Sequence, residues 1–378
     1  LNINVVATGH TKFGKDERNI GDIMMDACNQ ALTEIPLPDI DAIYVANFSS
    51  SFGNQCHLPS LLASKLGIHK EITRVESACA SGGLALKEAT VALRSGLYNN
   101  ILVVGVEKMT GVPSRDINGI IARAAAPDEI THGTTFPGLY ALMAKRHFFE
   151  YGTTEEHLAK IAVKNHENAL NNPNAQFHKK ISVDEVLAST YIASPLKKYD
   201  CSPVSDGAAA IVLSSQKNAQ KYTDSPIKLI GIGHDVGSIE LYTRKDITRM
   251  PAVINAAKSA FDMANVTATD IDVAELHDCF TITELIEMED IGFCDKGKGK
   301  QLIDDGATEI DGSIPVNPSG GLKAKGHPLG ATGVSQVVEI VKQLQSEAKE
   351  RQVPAADVGL CCNVGGSGGT AIVSIFSR

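Results

Sequence analysis

Four stretches of this 378-residue chain hold residues able to do chemistry. The first is Val75-Glu76-Ser77-Ala78-Cys79-Ala80-Ser81-Gly82-Gly83. The second is His277-Asp278-Cys279-Phe280-Thr281. The third, residues 317–333, sets His327 among glycines and prolines. The fourth is Asn363-Val364-Gly365-Gly366-Ser367-Gly368-Gly369. Singly, each has a plain structural reading: a packed core cysteine, a satisfied histidine, ordinary turns. Together they hold what acyl transfer through a thiolate requires. Cys79 is the nucleophile and a histidine takes its proton. A second proton-transfer group follows, and glycine N–H groups receive an oxyanion.

The elements that must position these groups follow from periodicity. A β-prone run over residues 71–75 leads into the first stretch. A helical run leads out, with Ala85, Ala89 and Ala92 at i, i+4, i+7 and Gly96 as its stop. Cys79 is therefore expected where a strand turns into a helix N-terminus. There free N–H groups and the helix dipole favour a thiolate. His277 follows an apolar strand, and groups at strand ends of an α/β sheet face the usual ligand crevice. The glycines of the fourth stretch, Gly365 first, could offer N–H groups to an oxyanion. Neither a Walker lysine pattern nor a dinucleotide fingerprint is present.

Two distant segments share one plan. Ile20, Met24, Ala27 and Ala31 precede Asp39-Ile40-Asp41 and a strand. Val253, Ala257, Ala260 and Ala264 precede Asp270-Ile271-Asp272 and a strand. Further on, Ser81-Gly82-Gly83-Leu84 matches Ser319-Gly320-Gly321-Leu322. The second half then has a helix with Val334, Val337, Val338, Val341 and Leu344 on one face, and a strand from residue 358. Repeated α/β units imply two similar halves, each a sheet covered by helices. The expected division is residues 1–110 with 199–225, an inserted loop domain at 111–198, and 226–378. The insertion carries His132, His147, His157, His166 and His178, with helices expected over about 139–150 and 155–170. Such excursions often bind ligands.

Composition limits the function classes. Hydrophobic content of 43% and a net charge of −9 describe a soluble globular protein and argue against nucleic acid and anionic membranes. No apolar run is long enough to span a membrane, and the start lacks signal-peptide features. The eight cysteines form no Cys-x-x-Cys pair, so the chain reads as cytoplasmic and reduced. His277 and Cys279 could ligate a metal, but a second pair is missing, and no metal is expected.

Ser77-Ala78-Cys79-Ala80-Ser81-Gly82 and Gly326-His327-Pro328-Leu329-Gly330 resemble the nucleophile and activating-histidine motifs of the thiolase family, and the resemblance spans essentially the whole chain. It implies a five-layered α-β-α-β-α fold and Claisen chemistry on acyl-CoA thioesters. Coenzyme A thioesters would be substrates, with no permanently bound cofactor. A homodimer or homotetramer is implied, with a small protein partner as a further possibility. His277-Asp278-Cys279-Phe280 stands where many members have Asn-Glu-Ala-Phe, and Asn363 where many have a catalytic cysteine. Both departures resemble the sterol-carrier-protein type and its bacterial and archaeal relatives. There the cysteine of the His-Asp-Cys-Phe motif replaces the missing acid/base, a role the resemblance carries to Cys279.

The expected mechanism has His327 take the proton of Cys79, and Cys279 the α-proton of a second acetyl-CoA. The enolate oxygen would lie on His277 and His327, and the tetrahedral oxyanion on the N–H groups of Cys79 and Gly365. Strand alternation points Cys362 away from this site. Acetyl-CoA C-acetyltransferase or 3-ketoacyl-CoA thiolase is the expected activity. A β-ketoacyl synthase-like enzyme, with Cys79, His277, His327 and Asn363 as its set, is the rival. A non-catalytic acyl-CoA-binding scaffold is the second. Lys145-Arg146, Lys179-Lys180 and Lys197-Lys198 are candidates for the CoA phosphates.

Overall fold

The computed structural model describes residues 1–33 and 35–378. The first half runs β1 (Ile3–His10), α1 (Ile20–Ala31), β2 (Ala42–Ala46), α2 (Ser50–Gly53), α3 (Leu58–Leu66), β3 (Glu71–Val75), α4 (Ser81–Arg94) and β4 (Asn100–Lys108). A long excursion then carries α5 (Ser114–Ala122), α6 (Pro127–Thr131), α7 (Phe136–Tyr151), α8 (Glu155–Ala169) and α9 (Val183–Leu187). The hairpin β5 (Tyr191–Ala193) and β6 (Leu196–Lys197) follows, and the chain returns through β7 (Asp206–Ser215). α10 (Gln216–Ala219) closes the first half, and the second is β8 (Ile227–Val236), α11 (Pro251–Ala264), β9 (Val273–Glu275), α12 (Thr281–Ile291), α13 (Gly299–Asp304), α14 (Thr332–Leu344), β10 (Val358–Gly365) and β11 (Thr370–Ser377). Among the described residues no helix is long and apolar enough to cross a membrane.

The strands form one nine-stranded sheet in the order β3-β2-β4-β7-β1-β8-β11-β10-β9. It reads alike outward from the antiparallel β1–β8 seam: β7 or β11 antiparallel to the seam strand, β4 or β10 antiparallel to that one, then parallel strands. Val316 pairs with Ala274 as a short parallel bridge, where β3 pairs with β2 in the first half. Alternation along each strand builds the layers. On β4 and β7, Ile101, Val103, Ile211 and Leu213 pack towards α4 and α14, whereas Leu102, Val104, Ala210 and Val212 pack towards α1 and α3. In the second half Val364, Val373 and Ile375 face α11 and α12, and Ile372 and Phe376 face the centre. The central helices are thus sandwiched between the halves, with helices on both outer faces. The five-layered fold expected from the resemblance is present, and a continuous seam joins its two sheets.

The repeat extends to single hydrogen bonds. Asp41 accepts from the N–H groups of Asn99 and Asn100 at 2.6 and 3.0 Å, at the start of β4. Asp272 accepts from Asp357 and Val358 at 2.9 and 2.8 Å, at the start of β10. One part of the expected repeat needs correction. Ser319-Gly320-Gly321-Leu322 does not open a helix like that of Ser81-Gly82-Gly83. Its glycines lie at the start of a five-residue π-type turn, and the helix equivalent to α4 starts at Thr332. It is Gly333 that meets Gly82 and Gly83. A Cβ on Gly333 would lie 2.3 Å from the Gly83 nitrogen, so only glycine lets the two helix starts cross. The expected helices over 139–150 and 155–170 are α7 and α8; α5, whose Ile117, Ile120 and Ile121 stand at i, i+3, i+4, and the five-residue α6 and α9 are additional.

Candidate active site

The turn between β3 and α4 aims Cys79. Ser81 Oγ donates to the Ala78 carbonyl at 2.6 Å and accepts from the Ser77 N–H at 2.9 Å. Glu76 accepts the Ala78 N–H at 2.6 Å. These bonds hold Ala78 at φ +50°, a left-handed conformation unfavourable for a residue with a Cβ. The strain is stored beside the nucleophile. Cys79 lines a cavity of about 350 Å³ whose walls are mostly apolar, among them Met109, Ile117, Phe136 and Phe280.

The second half supplies the other groups. The Cys79 sulfur and ring nitrogens of His277 and His327 lie within 4.8 Å of one another, and the two rings meet edge to face at 5.0 Å. Their neighbours lock the rings in opposite tautomers. Thr332 Oγ1 donates to the Pro328 carbonyl at 3.0 Å, so it accepts from His327 Nδ1–H at 2.7 Å. His327 Nε2 is therefore a lone pair. Asn363 Oδ1 accepts the Gly83 N–H at 2.9 Å, which turns its amide nitrogen to the Cys79 carbonyl and to His277 Nδ1, each at 3.1 Å. His277 Nδ1 is thus an acceptor and Nε2 carries the proton. One ring is a base and the other a donor.

Burial decides the resting charges. It pushes the Cys79 thiol up to about 12, partly opposed by the backbone N–H groups of Gly366 and Cys79 itself. It pushes His327 down to about 3, and His277 well below the usual imidazole range, with His327 adding to the effect. Burial thus opposes the thiolate that the helix N-terminus favours, and it favours a thiol beside neutral imidazoles.

Buried acids fasten the loops that carry these groups. Asp278 accepts the N–H groups of Leu322 and Lys323 at 2.6 and 3.1 Å, and Asn165 of α8 at 2.8 Å. Glu275 holds Ser319 and pairs with Lys325 at 3.1 Å. Glu107, at the end of β4, accepts Gly330 N–H at 3.0 Å and Phe48 N–H at 2.8 Å. Ser205 accepts the His327 N–H at 2.9 Å, and Glu287 that of His277 at 2.7 Å. Apart from Asp278, which stands inside the His-Asp-Cys-Phe motif, none of these anchors was singled out in the sequence. Most of their partners are backbone N–H groups far along the chain, which leave no local pattern.

Of the residues expected in the site, Cys79, His277 and His327 converge, and Cys279 lines the same cavity with its sulfur 3.7 Å from Thr283 Oγ1. Gly365 is the last residue of β10 and lies against Ser77 and Ala80, and Gly366, held at φ +62°, follows it and lines the cavity beside Cys79. Cys362 points into the outer core beside Glu287, as alternation required. The metal pairing weighed for His277 and Cys279 is also displaced. The ligating atoms that gather are those of Cys79, His277 and His327, and Asn363 already occupies His277 Nδ1. Of the basic candidates for phosphate, only Lys198 lines the cavity; Lys180 and Lys197 pair with Glu167 and Glu155. Lys323 lines it too, only 2% exposed, its ammonium 5.8 Å from the ring centres of Phe177 and Tyr199.

This arrangement matches known proteins along the whole chain. Residues 3–217 match the thiolase N-terminal domain and residues 233–378 the thiolase C-terminal domain-like family. An acetyl-CoA acetyltransferase of Methanothermobacter thermautotrophicus is 49% identical over 382 residues, covering 100% of this chain and 99% of that one. Sterol carrier protein 2 of Bos taurus is 34% identical, covering 98% of this chain and 71% of its own length. The solved structure of the Ltp2-ChsH2(DUF35) aldolase shares the fold at 23% identity, with a TM-score of 0.86 over 99% of this chain and 97% of that one. With both halves matched, and a cysteine and two histidines joined where they meet, the chain belongs to the thiolase family.

Proposed function

We propose that this chain interconverts two acetyl-CoA molecules with acetoacetyl-CoA and free CoA, through an acyl-enzyme on Cys79. The observation that carries this reading is the pair of histidines held in opposite tautomers beside one thiol. His327 Nε2 takes the Cys79 proton, and the thiolate attacks the thioester carbonyl. The N–H groups of Cys79 and Gly365 receive the oxyanion; a donor of this kind typically contributes about 3 kcal/mol. The C–S bond breaks, and the leaving CoA thiolate takes the Cys279 proton. Cys279, now a thiolate, removes the α-proton of the second acetyl-CoA. The enolate oxygen rests on the N–H groups of His277 and protonated His327. Its carbon attacks the acyl-enzyme, Cys79 leaves, and His327 returns its proton. Thiolysis runs the same steps backwards.

Lys198 at the rim and Lys323 within are the cations we assign to the CoA thioester. Relatives named acetyl-CoA acetyltransferase at 49% and 43% identity support the short acyl group. The synthase and scaffold readings have no such support. The deciding experiment compares thiolysis of acetoacetyl-CoA with that of longer 3-ketoacyl-CoAs. Preference for the longer chains would replace the acetyltransferase by a 3-ketoacyl-CoA thiolase, and decarboxylation of malonyl thioesters would revive the synthase. The same reading includes a homodimer joined along the edge of β3. That strand ends the sheet, and among the described residues its Arg74 Nε is buried without a hydrogen-bond partner. A monomer in sedimentation would refute it. Eight free cysteines suit a reducing compartment such as the cytoplasm.

A further inference from the structure

Among the described residues four lysines are buried, and three of them have a carboxylate at hand. Lys164 pairs with Glu284, Lys197 with Glu155 and Lys325 with Glu275, each at 3.1 Å. The fourth, Lys323, is 2% exposed, and among the described residues its ammonium has neither a hydrogen-bond acceptor nor a salt-bridge partner. The carboxylates whose charge reaches it are held elsewhere. Asp278 accepts the backbone N–H groups of Leu322 and Lys323 and the Asn165 amide; Asp200 accepts from the Lys197 N–H and from Thr281 Oγ1, both at 2.8 Å. The ammonium stands instead 5.8 Å from the ring centres of Phe177 and Tyr199, and all three residues line the cavity of Cys79, with Ile192 and Phe280 in the same wall. A buried cation without a counter-charge is unfavourable, and aromatic rings offset only part of its desolvation. An anion entering the cavity supplies the missing charge.

We propose that this cavity also takes CoA thioesters whose acyl group ends in a carboxylate, and that the Lys323 ammonium binds that carboxylate. The inference rests on acyl transfer through Cys79 and names the part of the thioester that Lys323 meets. One ammonium matches the single charge of a carboxylate, and the apolar wall suits the methylenes that lead to it. The CoA phosphates carry several charges and bound water, and they suit the exposed Lys198 at the rim. In thiolysis of a 3-oxodicarboxylyl-CoA, the Cys79 thiolate attacks the 3-oxo carbon. The bond between the second and third carbons breaks, its electron pair stays on the second, and that carbon takes the Cys279 proton and leaves as acetyl-CoA. The remaining acyl group stays on Cys79 with its far carboxylate on Lys323. Free CoA gives its thiol proton to Cys279 and attacks the acyl carbonyl. Cys79 leaves and recovers its proton from His327.

The test measures thiolysis of 3-oxoadipyl-CoA and 3-oxosuberyl-CoA beside 3-oxohexanoyl-CoA and 3-oxooctanoyl-CoA, which have the same lengths with methyl in place of carboxylate. The charged member of at least one pair should be favoured about tenfold or more in kcat/KM. Lys323→Met, similar in shape and uncharged, should lower that charged-to-uncharged ratio by about 10–100-fold, and Lys323→Arg should keep part of it. The ratio in the unaltered protein should also fall as pH rises past about 8, to which burial brings the Lys323 ammonium; this arm decides the matter if the methionine variant fails to fold. The charged and titratable groups around that ammonium are Lys198, Tyr199, Asp200 and Cys201 after β6, Asp278 after β9, His166 of α8, and Lys179 beside Tyr199. A ratio of two substrates cancels what these groups do to the shared chemistry. Charged substrates cleaved no better than uncharged ones overturn the proposal. So does an equal fall for both in Lys323→Met, which would assign Lys323 to the CoA moiety. If no substrate, acetoacetyl-CoA included, leaves an acyl group on Cys79, the acyl-transfer reading falls and this proposal with it.

Discussion

The two α/β halves have the same framework and opposite duties. Asp41 and Asp272 tie equivalent strand starts in the same way, and α4 and α14 share the central core. The halves diverge most in the connections at one end of the sheet. In the first, residues 76–80 form a tight elbow for one nucleophile. In the second, residues 317–331 make a long loop carrying Lys323, Lys325 and His327, and the short turn after β9 carries His277 and Cys279. Duplication supplied a rigid frame twice, and the chemistry was distributed over the connections that did not need to match. Neither half holds a complete site, which is why the helix starts meet glycine to glycine.

The comparison breaks most severely at that meeting. Cys79→Ala should abolish the acyl-enzyme, read by intact-protein mass after acetyl-CoA. His327→Ala should slow acylation by about 10²–10⁴, because general-base loss has that size. Gly333→Val would set a Cβ 2.2 Å from Asn363 Oδ1 and push the halves apart. We expect about 1–3 kcal/mol lost in denaturant unfolding together with loss of activity, the usual cost of overpacking. If the protein keeps both, the halves are less interdependent than their contact implies.

Asn363→Ala sharpens the tautomer argument. Without its amide, His277 is free to protonate Nδ1 and lose its donor. Condensation should fall about 10–100-fold while acylation of Cys79 persists, the size expected when one oxyanion donor weakens. Asp41→Ala and Asp272→Ala test the frame instead. Each leaves two backbone N–H groups without their acceptor, at about 1–2 kcal/mol by chemical denaturation. Equal losses support a frame used twice; a loss in only one variant would show that the repeat is geometric and not energetic.

The last test concerns pH. Burial holds His327 at about 3, below its usual 6.5. The unfolded chain therefore binds a proton that the folded one refuses, and stability must fall as pH drops from 6.5 towards 3. His327→Gln should flatten that part of the unfolding curve. An unaltered slope would mean that the ring is not held neutral.

Much of this was legible in the residues alone. The Asp-Ile-Asp repeats announced two halves because a helix and strand at fixed spacing leave periodic apolar traces. Cys79, His277, Cys279 and His327 stood out because reactive side chains among small residues are conspicuous. Alternation alone turned Cys362 outward. The glycine runs misled, since glycine marks where backbones approach but not which backbone arrives. Gly320-Gly321 mimicked the helix start that belongs to Gly333.

The chain order of strands, helices and reactive groups was determined by the sequence itself, through local propensity and spacing. The protonation of the site was decided only by tertiary structure. Asn363 is 280 residues from Gly83, and their bond is what turns one histidine into a donor. Thr332 turns the other into a base, and burial between the halves pushes the thiol up and the imidazoles down. Tautomer and charge depend on distances in space and on excluded water, and neither is written in the spacing of residues along a chain.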